Sequence, residues 1–146
     1  MTASNPRPDF QSFTQAVIEN HRANGGQITT GPFKGRQILL LHTLGAKSGE
    51  PRIAPLAFSR DGDRYVVMAS KGGAPTNPSW LANLLANPEV TVEADGDTFR
   101  ALADVYSDGP ERQRLWDAHA ALHPGFKEYS PKTSRVIPAV VLERLP

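Results

Sequence analysis

From residue 37 to residue 73 short apolar runs alternate with tight, glycine-bearing turns, and this alternation limits the chain to a hairpin-built sheet. Gln37 to Thr43 carries Ile38-Leu39-Leu40-Leu41, a run short enough to be a buried strand. The turn Gly45-Ala46-Lys47-Ser48-Gly49-Glu50-Pro51-Arg52 follows, and Ile53 to Ser59 is the next strand candidate. Pro55 lies inside that run. Proline has no N–H to give a ladder, so an edge position or a bulge is expected there. Arg60-Asp61-Gly62-Asp63 is a hairpin signal leading into a strand over Arg64 to Ser70, with Tyr65-Val66-Val67-Met68 at its centre. Antiparallel pairing sends that strand back toward the first turn. It therefore brings Ala69-Ser70-Lys71-Gly72-Gly73 near Gly45 to Arg52.

The remaining pattern adds helices around the strands. Asp9 to Asn24 reads as a helix with Phe10, Phe13, Val17 and Ile18 near one face, ended by Gly25-Gly26. Gly31-Pro32-Phe33-Lys34-Gly35 is a turn. Asn77 suits an N-cap and Pro78 the first helical position, ahead of an apolar stripe of Trp80, Leu81, Leu84 and Leu85 that stops at Asn87-Pro88. Val90 to Ala94 and Thr98 to Tyr106 flank Asp95-Gly96-Asp97, a second hairpin signal. Phe99, Ala101, Ala103 and Val105 alternate with polar residues, as in a half-buried strand. Gly109-Pro110 opens a helix to about Leu122, with Leu115, Ala118, His119 and Leu122 on one side, and Val136 to Leu145 is a final strand. About six mostly antiparallel strands with three helices make an α+β fold, its sheet closed or partly closed to hide its edges. At 146 residues one domain is expected, 1–146, with residues 1–30 as an arm and helix for which a lid over the pocket or a membrane contact stays open.

Composition excludes several functions. Formal net charge is +1, so no global basic field favours nucleic acid. There is no cysteine, hence no disulfide, thiol nucleophile or thiolate metal site, which fits a cytoplasmic protein. His21, His42, His119 and His123 show no metal-ligand spacing, and no metal is expected. No apolar run approaches the roughly 18 residues of a membrane span, and Met1 to Pro8 is polar. No Gly-x-Gly-x-x-Gly joins a strand to a helix, and Gly45-Ala46-Lys47-Ser48 lacks the upstream glycine of a phosphate-binding P-loop.

The two basic turns carry the chemistry. Lys47, Arg52 and Lys71, with Gly45, Gly49, Gly72, Gly73 and the helix start at Asn77, converge if the strands pair as expected. Glycine lets backbone N–H groups approach a ligand, and the cations supply charge. Such a site takes an elongated anion, so a phosphate-bearing cofactor is expected. Each residue also has a plainer role. Lys47 and Arg52 suit a solvated turn, Asn77 a cap, Trp80 a core anchor, and Tyr129 a packing position.

Leu44 to Arg52, Pro55-Leu56, Ala69 to Gly73, Asn77-Pro78-Ser79-Trp80, Ala86-Asn87-Pro88 and Arg135-Val136-Ile137-Pro138 occur in the order and approximate spacing of one family. Together they resemble the deazaflavin-dependent nitroreductases of actinobacteria, which are split β-barrel oxidoreductases using coenzyme F420. The resemblance runs from about Lys34 to the C-terminus. It implies that Lys47, Ser48 and Arg52 meet the cofactor's phosphate and oligoglutamate tail. Ser70, Lys71, Gly72 and Gly73 would follow the phosphate and ribityl region. Pro55, Leu56, Met68 and Ala69 would flank the ring system, and Asn77 and Trp80 would close the pocket. It implies hydride transfer to a quinone- or nitro-type acceptor, with Ser70 or Tyr129 as the donor to the acceptor's oxygen.

The substrate half departs from that pattern. Members that reduce bulky nitroimidazoles carry several tyrosines before the last strand. Here Leu122 to Tyr129 keeps only the Tyr129 phenol, with His123 and Phe126 in the other two places. Ala57 follows Pro55-Leu56 where such members can hold an aromatic residue. Prodrug activation is therefore not implied. Two other readings stay open: an FMN-dependent split-barrel reductase, and a non-catalytic protein binding a cofactor or lipid. The expected partner is a small-molecule electron acceptor. Homodimerisation and peripheral contact with the inner face of a membrane also remain open.

Overall fold

The computed structural model describes residues 8–31, 33–69, 78–123 and 136–146, with side chains in the first helix described from Thr14 onward. The elements are α1 (Pro8–Ala23), β1 (Ile38–Leu44), β2 (Pro51–Ala57), β3 (Ser59–Asp61), β4 (Arg64–Met68), α2 (Ser79–Ala86), β5 (Glu89–Ala94), β6 (Asp97–Tyr106), α3 (Gly109–Leu122) and β7 (Ala139–Arg144). The seven strands form one antiparallel sheet in the order β2-β1-β5-β6-β7-β4-β3, curled into a split half-barrel until β2 touches β4.

Alternation along the strands builds two packed layers. Leu39, Leu41, Val67, Val92, Ala101, Val140 and Leu142 fill the concave side together with Trp80, Leu81 and Leu84 of α2. Val66, Met68 and Val141 point the other way, onto Leu115, Trp116 and Ala120 of α3. Val17 of α1 closes a smaller cluster with Ile28 and Ile38.

The expected single strand over 53–59 is two strands, giving seven in all rather than six. It breaks at Phe58, whose N–H donates to the Gln37 carbonyl at 3.0 Å. β2 pairs with β1 and β3 with β4, so at this one residue the chain passes from one rim of the sheet to the other. Pro55 does sit on an edge strand, as the missing N–H requires.

Two helix faces differ from the expected stripes. In α2, which starts at Ser79 with Pro78 in the capping position, Leu85 is exposed and Asn83 is buried instead. In α3 the buried residues are Leu115, Trp116, His119 and Ala120, while Leu122 is exposed. The final strand is shorter than 136–145, although the Ala69 N–H still pairs with the Pro138 carbonyl at 3.0 Å.

The register sets two ends. Thr43 opposite Arg52, Met68 opposite Ala139 and Leu102 opposite Glu89 put the β1–β2 turn, the end of β4 and the start of β5 together. The β3–β4 and β5–β6 turns lie at the far end with the C-terminus of α1. There His21 Nε2 lies 2.9 Å from the Ile38 carbonyl, and Arg22 pairs with Glu93 at 2.7 Å. Backbone meets backbone at the same end: a Cβ on Gly26 would stand 2.9 Å from the Gly96 nitrogen. The Gly25-Gly26 pair thus ends the helix and also admits the β5–β6 turn.

Candidate functional site

The β1–β2 turn is the basic turn of the sequence, and its own hydrogen bonds fix its shape. The Gly45 N–H donates to the Glu50 carbonyl and the Gly49 N–H to the Gly45 carbonyl, each at 2.8 Å. The Glu50 N–H donates to Ser48 Oγ at 3.1 Å. Gly49 has φ of 72°, a left-handed conformation in which a side chain is strained. A Cβ on Gly45 would press within 2.6 Å of Ser48 Oγ. Four amides of the turn are engaged, since Ala46 N–H donates to Asn83 Oδ1 at 2.9 Å. Among the described residues no acceptor meets the Lys47 and Ser48 amides, and no acid pairs with the Lys47 side chain. Arg52 meets only Glu50, at 3.4 Å and with both side chains mostly in water, a pair of little strength.

The other expected residues spread over both faces of the strands. Leu56 is partly buried against the concave core, and Pro55, its neighbour, points to the opposite face. Ala69 is buried in the concave core at the end of β4. Met68 is buried on the opposite face of β4, against α3. Trp80 is buried in the concave core, which makes it a core anchor. The fold thus brings Lys47, Ser48 and Arg52 to the same end of the sheet as Ala69. Ser70, Lys71, Gly72, Gly73, Asn77, Phe126 and Tyr129 lie outside the described residues.

Asn83 is the residue tied to this turn that sequence reading missed. Besides accepting from Ala46, its Nδ2 donates to Thr43 Oγ1 at 3.1 Å, and both Asn83 and Thr43 are buried. Its spacing of three from Trp80, on the same helical face, was the available signal.

The four histidines divide by environment. His119 and His123 are buried on α3 with ring centroids 4.8 Å apart. His119 Nδ1 shares a 2.9 Å hydrogen bond with Ser59 Oγ, and His123 Nε2 lies 2.8 Å from the Phe58 carbonyl. Burial pushes the His119 imidazole down to about 3. Burial also lowers His123, opposed by its backbone hydrogen bond. The Ser59–His119 pair is sealed from solvent, so it fastens α3 to β3 and offers no nucleophile to a substrate. His42 and Arg22 share Glu93, and the Arg22 hydrogen bond leads in holding that carboxyl down at about 2.

The sequence model of a family described as F420H(2)-dependent quinone reductase matches residues 13–144. The chain belongs to this family. It is 44% identical over 108 residues to an F420H(2)-dependent quinone reductase of Mycobacterium tuberculosis, covering 73% of this chain and 72% of that one. A solved structure of an F420-H2 dependent reductase superposes with TM-score 0.67 at 38% identity, covering 73% of this chain and 93% of that one. A second, described as a domain-swapped dimer, superposes with TM-score 0.68 at 33% identity over 92% of this chain and 96% of that one.

Family membership closes two alternatives. The chain is a reductase and not a passive carrier, and its cofactor is coenzyme F420 and not FMN. The donor set of the β1–β2 turn fits that cofactor. An ammonium and two adjacent amides without acceptors among the described residues suit the anionic oxygens of a phosphate or a glutamate tail. Among the described residues no helix is long and apolar enough to cross a membrane.

Proposed function

We propose that the chain reduces a quinone-type acceptor by hydride transfer from reduced F420, and that the β1–β2 turn is the anchor for the cofactor's anionic end. Reduced deazaflavin supplies the hydride when bound. The chain's own residues bind, orient and exclude water. Lys47, Ser48 and Arg52 hold phosphate and tail oxygens. Leu56 and Ala69 offer an apolar wall beside the ring system, with Trp80 on the same side of the sheet and Pro55 and Met68 supporting it from behind. Ser70, Lys71, Gly72, Gly73 and Asn77 continue the contacts along the phosphate and ribityl region. Ser70 or Tyr129 gives a hydrogen bond to the acceptor oxygen as negative charge gathers there. A nitro group can take the same hydride at the same donor. The observation that carries the reading is the pair of open amides beside the Lys47 side chain.

A fluorescence titration with F420, run beside FMN, tests it. Saturable F420 binding should weaken about ten-fold in Lys47→Ala, the loss of one charge-assisted contact. Unchanged binding in Lys47→Ala and Arg52→Ala together would move the anchor elsewhere. Turnover of a quinone that survives both Ser70→Ala and Tyr129→Phe would remove those two as donors. The domain-swapped relative supports self-association of this chain, which sedimentation would measure.

A further inference from the structure

We propose that Asn83 is a positioning residue that aims the β1–β2 turn at the anionic end of the cofactor. The inference rests on the reading of that turn as the anchor.

The turn has two glycines, and its internal hydrogen bonds join Gly45, Ser48, Gly49 and Glu50 only to one another. They set its shape. They do not set its tilt relative to the rest of the fold. Among the described residues, the bond from Ala46 N–H to Asn83 Oδ1 is the one hydrogen bond that leaves the turn. Ala46 directly precedes Lys47, so holding the Gly45–Ala46 peptide anchors the point from which the open Lys47 and Ser48 amides extend.

Asn83 is itself held on the other side. Its Nδ2 donates to Thr43 Oγ1, one residue before the end of β1. Strand, helix and turn are thereby joined through one buried carboxamide. Burying such a group is unfavourable unless both its oxygen and its nitrogen find partners, and here both do. A leucine at this position would extend the stripe of Trp80, Leu81 and Leu84 and would pack as well. An apolar residue would serve the core as well, and what the amide adds is an orientation.

The test compares two probes on folded protein. One is F420. The other is the deazaflavin chromophore with its ribityl chain but no phosphate or tail. Asn83→Ala should weaken F420 about ten-fold and leave the phosphate-free probe within about two-fold, since one hydrogen bond to an anchor is lost at the anionic end only. Hydrogen exchange at the Ala46 amide should accelerate in the same variant. Thr43→Val keeps volume and removes only the partner that orients Asn83, so it should weaken F420 about three-fold. It also decides the matter if Asn83→Ala does not fold.

Equal weakening of both probes would mean general loosening and would overturn the proposal. Faster Ala46 exchange with unchanged F420 affinity would overturn it too, while a normal loss in Lys47→Ala would leave the anchor reading intact. F420 binding unaffected by Lys47→Ala with Arg52→Ala would bring down the anchor reading instead.

Discussion

At the scale of single residues, Gly26 shows why a sequence signal can be right for an incomplete reason. A helix terminator explains a glycine with φ of 93°, but the backbone of the β5–β6 turn lies where a side chain would be. Gly26→Ala should therefore destabilise the fold by about 2 kcal/mol, from left-handed strain plus the displaced turn. F420 affinity should not change, because the cofactor end is opposite. A thermal melt and a titration on one sample check both. His119 makes a second residue-scale prediction. Its folded value near 3 lies below the 6.5 of an exposed imidazole, so the unfolded chain binds the proton first. Stability is then complete above about 6.5 and falls as pH drops from there toward 3, by about 1.4 kcal/mol per unit. Between pH 7.5 and 5.5 the melting temperature should fall by about 3 °C from this group. The slope should shrink in Ser59→Ala/His119→Leu. An unchanged slope in that variant would assign the acid sensitivity elsewhere.

At the scale of elements, α1 is a structural wall before it is anything else. Val17, Ile18 and Ile28 are buried, and each contributes roughly 1.5–3 kcal/mol. Their sum rivals the whole stability of an ordinary domain, about 5–15 kcal/mol. Deleting residues 1–30 should abolish a cooperative melt, so a lid or membrane role for α1 is better sought with exposed point changes. Strands were legible in the sequence where alternation met a strong turn signal, as in Tyr65–Met68 and across Asp95-Gly96. The break at Phe58 was not, because a buried aromatic at the end of the Ile53–Ala57 run looks like more strand. Asn83 and Leu85 exchanged their expected places for a related reason. Hydrophobicity predicts which residue would gain from burial, but the β1–β2 turn needed an amide at that point, and α2 turned to supply it. The place of the basic turn was legible because its glycines fall between two apolar runs that pair as a hairpin. Its tilt was not, because that depends on a helix nearly forty residues further on.

At the scale of the whole molecule, the chain passes at Phe58 from the first strand of the sheet order to the last, and the curled sheet nearly meets itself there. Among the described residues two rims nevertheless remain open, β2 and β3. An unpaired rim is a template for another chain's strand, and crowded proteins polymerise along such rims. β3 is only three residues long, and its Asp61 is tied to Arg64 and Arg114. β2 is longer, but Pro55 removes a donor from its middle. Pro55→Val should restore that donor and raise β-propensity together. Thioflavin-positive aggregates should then form at protein concentrations the parent tolerates, with the melting temperature little changed. One proline under the proposed ring site thus has a second consequence, for how much of this enzyme a cell can hold in solution.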